Sequence, residues 1–147
     1  MFEELQYIEL SGKAYPIKCD LLVLEKIQEA YESINKFEQA IMTWEPELDA
    51  DGNESIDKEG KTKYKFRFPE ARAVNDALAW MVNEGEAIAA EQEGRTAVKY
   101  TREELSRKAD ITFTELANKL HNEFYRCFEI KNGKTTQRKQ KMETADQ

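Results

Sequence analysis

Several of the residue types that build the commoner active sites are scarce in this chain. Of 147 residues, one is histidine, two are cysteine, three are proline and six are glycine. The glycines are scattered, so no glycine-rich loop is present to cradle a phosphate. Cys19 and Cys127 lie far apart, outside any CxxC or Cys/His spacing, and do not encode a zinc site. His121 has neither a cysteine at ligand spacing nor a serine nucleophile motif beside it, so a catalytic triad would lack its partners. It sits one residue past Leu120, at the edge of an apolar stripe, and reads as an edge histidine bonded locally. No apolar run approaches the ~20 residues that cross a bilayer. The start, Met1-Phe2-Glu3-Glu4, is acidic and has no signal-peptide character. The expectation is a cytoplasmic protein in which both cysteines are buried free thiols. No catalytic, cofactor or metal residue is assigned, and an enzyme is not expected.

What the chain does contain is material for a core. Hydrophobic residues make up 40% and charged residues 35%, with 7 Phe, 6 Tyr and 2 Trp. Such bulky groups repay ordering entropy, which argues for one folded domain over residues 1–130. The net charge is −7, but residues 131–147 carry five Lys or Arg against two acids. The body is therefore strongly acidic and repels phosphate backbones, so nucleic-acid binding is not expected of it. The basic tail (Lys131, Lys134, Arg138, Lys139, Lys141) has no interleaved aromatics for base stacking and reads as a solvated, disordered end.

Periodicity predicts an α+β fold, predominantly helical. Leu5, Tyr7, Ile8 and Leu10 lead into Ser11-Gly12-Lys13, followed by Tyr15 and Ile17, the pattern of a β-hairpin. Pro16 assigns one of its strands to an edge. Asp20 offers an N-cap, and Leu24, Ile27, Tyr31, Ile34 and Ile41 make the stripe of one long amphipathic helix reaching Met42. Pro46 is expected to stop it. Residues 47–63 are polar, with two glycine-containing turns, and read as an exposed excursion without internal repeat. Tyr64, Phe66 and Phe68 alternate with Lys63, Lys65 and Arg67, the period of a strand, which can pair with a second strand of the excursion. Pro69 suits the first turn of a second helix, striped by Val74, Ala77, Leu78, Met81 and Ile88 and fading near Gly94. Thr101 and Glu104 form a capping box for a short helix ending near Ala109. Asp110 is placed as the cap of a last helix carrying Ile111, Phe113, Leu116, Ala117, Leu120, Phe124, Cys127 and Phe128.

Two local features invite a functional reading. Residues 47–58 superficially match a calcium loop with Gly52 at its sharp turn, but position twelve is Lys58, a cation where a bidentate carboxylate is required. No metal site follows. Asn83-Glu84-Gly85 is the more unusual, because glycine inside a helix costs up to about 1 kcal/mol relative to alanine. The compensation is either a second helix crossing closely near Trp80 and Met81, or a surface on which a partner segment docks. Trp80, Met81, Asn83, Glu84 and Gly85 are accordingly the candidate protein-binding residues.

Several segments together resemble a known family. Tyr15-Pro-Ile-Lys-Cys-Asp20 runs into Leu24-Glu-Lys-Ile27 and Ile34-Asn-Lys-Phe-Glu38. Trp80-Met-Val-Asn-Glu-Gly85 follows, and Leu116-Ala-Asn-Lys-Leu-His121 continues into Glu123-Phe-Tyr-Arg-Cys-Phe128. This set, spread over residues 7–130, is similar to the tail assembly chaperones of long-tailed phages and prophages of Gram-positive bacteria. The resemblance implies no enzyme and no cofactor. It implies a cytoplasmic binding protein, absent from the mature virion, whose partners are the tape measure protein and the tail tube protein, with self-association possible. It also implies a longer frameshifted product, with Gly133-Lys134 as the place for a slip. Outside that resemblance, a structural minor tail or connector protein and a small regulator binding nucleic acid through the basic tail are the alternatives.

Overall fold

The computed structural model describes residues 4–129, and the expected disorder of residues 131–147 lies outside them. It has the anticipated class: five helices and two small antiparallel sheets. Strands β1 (Gln6–Leu10) and β2 (Lys13–Ile17) form the hairpin, paired from Gln6↔Ile17 to Leu10↔Lys13. That register leaves a two-residue loop, Ser11-Gly12, with φ of 51° and 81°. Positive φ at both positions matches the twist of the strands, and glycine takes the second at no steric cost. Ile8, Leu10, Tyr15 and Ile17 point inward and are buried.

The expected single helix to Met42 is instead two. Helix α1 (Leu21–Tyr31) starts at Asp20, whose Oδ1 accepts from the Leu22 and Val23 amides at 3.1 and 3.2 Å. It ends at Glu32, where φ is 72°, a sterically costly value for a residue with a Cβ. Ser33 then caps α2 (Ile34–Ile41) by accepting from the Lys36 amide at 3.0 Å. The apolar period runs straight through the break, which is why spacing alone reads one helix. Pro46 does not stop α2 either. The helix ends at Ile41 because Met42 is extended, with φ −72° and ψ 147°, and Pro46 lies in a strand.

Helix α3 (Ala71–Glu93) is the central post, roughly 35 Å long at 1.5 Å per residue. Pro69 falls just outside its first turn, before the N-cap Glu70, whose amide is bonded to Ala40 O on α2 at 2.8 Å. Gly94 closes the helix in the left-handed region, φ 70°. Against α3 pack β2, α1, α2, the capping-box helix α4 (Arg102–Lys108) and α5 (Phe113–Arg126). Leu78, Met81 and Val82 of α3 meet Ile27, Phe37, Leu105, Leu120 and Phe124 in one core. Burying side chains of this size stabilises by about 1.5–3 kcal/mol each. Thr112, not Asp110, caps α5, accepting from the Glu115 amide at 3.1 Å. Asp110 accepts instead from the Ser11 amide at 3.1 Å, and Lys108 O accepts from the Ser11 hydroxyl at 2.7 Å. The loop between α4 and α5 thus fixes the hairpin tip.

Residues 43–68 stand apart from this body as a β ribbon. Strand β3 (Trp44–Pro46) pairs with β4 (Tyr64–Phe66), so the partner of the predicted strand precedes the excursion. Between them lies a repeat that reading the sequence missed: residues 47–54, ELDADGNE, and 55–62, SIDKEGKT. In each, the aspartate Oδ1 accepts from the amides two and four residues on, at 2.9 and 3.0 Å from Asp49 and at 2.9 Å twice from Asp57. Gly52 and Gly60 follow with φ of 85° and 83°. A closed ring of backbone bonds joins the units: Glu47 N to Lys63 O at 2.8 Å, Lys63 N to Ser55 O at 2.9 Å, and Ser55 N to Glu47 O at 2.7 Å. Sparse sequence identity, chiefly aspartate and glycine at matching places, hid a repeat that backbone geometry makes plain. Among the described residues, no helix is long and apolar enough to cross a membrane.

Candidate protein-binding surface

The residues anticipated as a docking surface are largely consumed by the fold. Met81 is fully buried, and its carbonyl accepts from the Lys18 amide at 3.0 Å. Gly85 is buried against the backbone of β2. A Cβ there would run into the Pro16 carbonyl and come within 2.6 Å of the Ile17 nitrogen. The close approach expected of this glycine is therefore real, but the crossing element is a strand and not a helix. Asn83 acts as a piece of sheet edge, its Oδ1 accepting from the Tyr100 amide and its Nδ2 donating to the Tyr100 carbonyl, both at 2.9 Å. That pair holds residues 95–101 along α3. Glu84 is partly buried beside Asp20. Burial first, then the hydrogen bond and charge of Asp20, push its carboxyl up to about 7. Trp80, also partly buried, meets Tyr31 edge-on at 6.4 Å. The five residues are brought together, but mainly to clamp the hairpin onto α3.

Beside this clamp is a cleft of about 310 Å³ lined by Tyr7, Lys13, Tyr15, Glu86, Arg95 and Tyr100 among others. Its charged groups are already paired. The Glu86 carboxylate, 4% exposed, accepts two bonds from Arg95 and one from the Val98 amide at 2.9 Å. The guanidinium holds the Glu86 carboxyl below its ordinary range. Lys13 donates to the Tyr100 hydroxyl at 3.0 Å and lies over the Tyr15 ring. These bonds secure a connection and leave little to recognise a ligand. His121 is an edge residue, as expected, but its partner is distant in sequence: Nε2 lies 3.0 Å from Glu38 Oε2 on α2. Asp49, within the calcium-like loop, spends its Oδ1 on its own turn. Among the described residues, no group of three or more His, Cys, Asp or Glu side chains is arranged to hold a metal.

The ribbon presents the opposite situation. Trp44, Leu48, Ile56, Tyr64 and Phe68 each expose more than half of their surface, and Phe66 exposes 43%. Side chains alternate across a strand, so Trp44 and Pro46 share a face with their cross-strand partners Phe66 and Tyr64. Trp44 meets Phe66 edge-on at 6.2 Å, and Phe66 meets Phe68 at 4.8 Å, giving a connected row of rings. The reverse face is charged: Lys65 pairs with Glu45 at 3.6 Å and Lys63 with Glu47 at 3.5 Å. At its base the ribbon is fixed, with the Arg67 amide on Thr43 O at 2.8 Å and the Arg67 guanidinium on Gln39 O. The Thr43 hydroxyl donates to Asn118 of α5 at 3.0 Å. The ribbon is thus a strand pair bonded to the body at its base, with one aromatic face in water.

No family model matches the chain, and neither curated proteins nor solved structures offer a match. Part of the signal for the ribbon's aromatic face was visible in the sequence: Tyr64, Phe66 and Phe68 alternate with cations, the pattern of a strand with one apolar face.

Proposed function

We propose that this protein is a tail assembly chaperone of a long-tailed phage or prophage, which binds the tape measure protein and helps recruit tail tube subunits. The observation that carries the reading is the aromatic face of the ribbon, uncovered among the described residues and rooted on α2 and α5. A tape measure protein is a long helical chain whose apolar stripes aggregate until the tube covers them. An exposed row of rings can shield such a stripe, taking the apolar face of a helix as grooves do in other helix-binding proteins. The net charge of −7 keeps coated complexes apart in solution. The motif set of residues 7–130 supports the same reading.

The test is co-expression of the full chain with the tape measure protein of the same genome. The expected result is a soluble tape measure protein that co-purifies with the chain. A doubly substituted chain, Trp44→Lys with Phe66→Ser, is expected to stay folded and to leave the tape measure protein in the pellet. Insolubility with the unsubstituted chain would refute the chaperone reading. Equal rescue by both chains would refute the ribbon as its site. A structural minor tail or connector protein is the competing reading, and mass spectrometry of purified particles separates the two, since a chaperone is missing from them.

A further inference from the structure

The two cysteines, 108 positions apart, meet in space. Cys19 lies at the end of the hairpin, one residue before the cap of α1, and is 1% exposed. Its amide donates to the Glu123 carboxylate of α5 at 3.0 Å, a buried bond. Cys127, the C-cap of α5, is one helical turn beyond Glu123 and only partly buried. The Glu123 bond therefore holds Cys19 beside the turn of α5 that carries Cys127, and both residues belong to the same packed cluster. Lys18, Asp20 and Glu123 are the charged groups around them.

We infer that Cys19 and Cys127 form an oxidisable dithiol, converted by a low-molecular-weight disulfide such as oxidised glutathione into an intramolecular disulfide that staples the hairpin–α1 junction to the end of α5. Cys127 is the entry point because it reaches solvent. Its thiolate attacks one sulfur of the glutathione disulfide, forming a mixed disulfide and releasing a glutathione thiolate, which takes up the proton that Cys127 gave to water. Cys19, sheltered beside it, then loses its proton and attacks the Cys127 sulfur. The second glutathione leaves and is protonated in turn. Two protein thiols lose two electrons, and one glutathione disulfide becomes two thiols. Burial raises both protein thiols above the ordinary range, so few thiolates are present at neutral pH and the reaction is slow there. The closed loop would enclose most of the described chain, the case in which a cross-link most restricts the unfolded state.

The test uses the full chain, incubated with oxidised glutathione in mildly alkaline buffer, quenched by alkylation and digested without reductant. The expected product is a monomer in which the Cys19 and Cys127 peptides are joined. Its melting temperature should rise by about 10 °C and fall back on adding reductant. Cys19→Ser should stop at a Cys127–glutathione mixed disulfide. If that variant does not fold, the peptide map of the unsubstituted chain decides by itself. Persistent mixed disulfide in the unsubstituted chain, disulfide-linked dimers, or two thiols still alkylated would each overturn the inference.

Discussion

Two regions of this molecule carry exposed-looking sequence and behave in opposite ways. The segment from Trp80 to Gly85 holds the oddest residue of any helix in the chain, yet it is closed: Gly85 admits Pro16, Asn83 bridges to Tyr100, and Met81 is out of reach of solvent. The ribbon of residues 43–68 contains the stretch 47–63 that reads as a polar excursion, yet that stretch is ordered through Asp49, Asp57 and a ring of backbone bonds, and the ribbon leaves its aromatic rings in water. A costly residue marks where elements press together, because only contact offsets the cost. The proposed recognition surface is marked instead by apolar groups that no other described element covers.

This contrast can be broken most sharply at Gly85. Gly85→Ala places a methyl group against the backbone of Pro16 and Ile17, which cannot rotate away as a side chain could. A loss of about 3 kcal/mol or more is expected in urea unfolding. Unchanged stability would mean that the hairpin does not lie on α3. Next in size, Asn83→Ala removes both bonds to the Tyr100 backbone and leaves a partly buried amide and carbonyl without them. About 2 kcal/mol is expected to be lost, with faster hydrogen exchange over residues 95–101.

Glu84 gives a smaller, pH-dependent effect. Its folded value of about 7 lies above the ordinary 4.5, so the folded state favours the protonated form. The resulting stability is complete below pH 4.5 and is lost as pH rises towards and through 7. Since the group is partly solvated, screening reduces the effect, and Glu84→Gln should raise the melting temperature at pH 8 by only about 2 °C. At pH 5 the two proteins should melt together, and a constant offset at both values would remove ionisation as the cause. On the ribbon, the Trp44→Lys, Phe66→Ser double substitution should change stability least, by within about 0.5 kcal/mol, while clearly lowering the binding of an apolar dye. A large loss of stability there would show that the rings serve the fold, and would erase the distinction between the two regions.

Much of the architecture was legible because it depends on local rules. The Ser11-Gly12 turn, the Asp20 cap, the Thr101–Glu104 box and the Gly94 stop each follow from which backbone groups a nearby side chain can satisfy. The errors came where two local solutions compete. Ser33 could continue a helix or cap a new one, and the apolar stripe is the same in both cases. Asp110 and Thr112 could each cap α5, and contact with Ser11 drew Asp110 away. Of the candidate site, the peculiarity of Gly85 was readable but not its partner, because nothing near residue 85 in sequence names Pro16. Phe66 and Phe68 were visible as a strand face, but whether that face is covered depends on every other element.

The sequence by itself determined the fold class, several helix ends, the hairpin and its turn, because hydrophobic period, capping and positive φ act over a few residues. Only the tertiary structure decided which faces meet: that β2 lies on Gly85, that Cys19 is bonded to Glu123 of α5, and that the ribbon's rings are uncovered among the described residues. Those outcomes are set by the competition of all apolar surfaces for one limited core, a property of the whole chain that no local window contains.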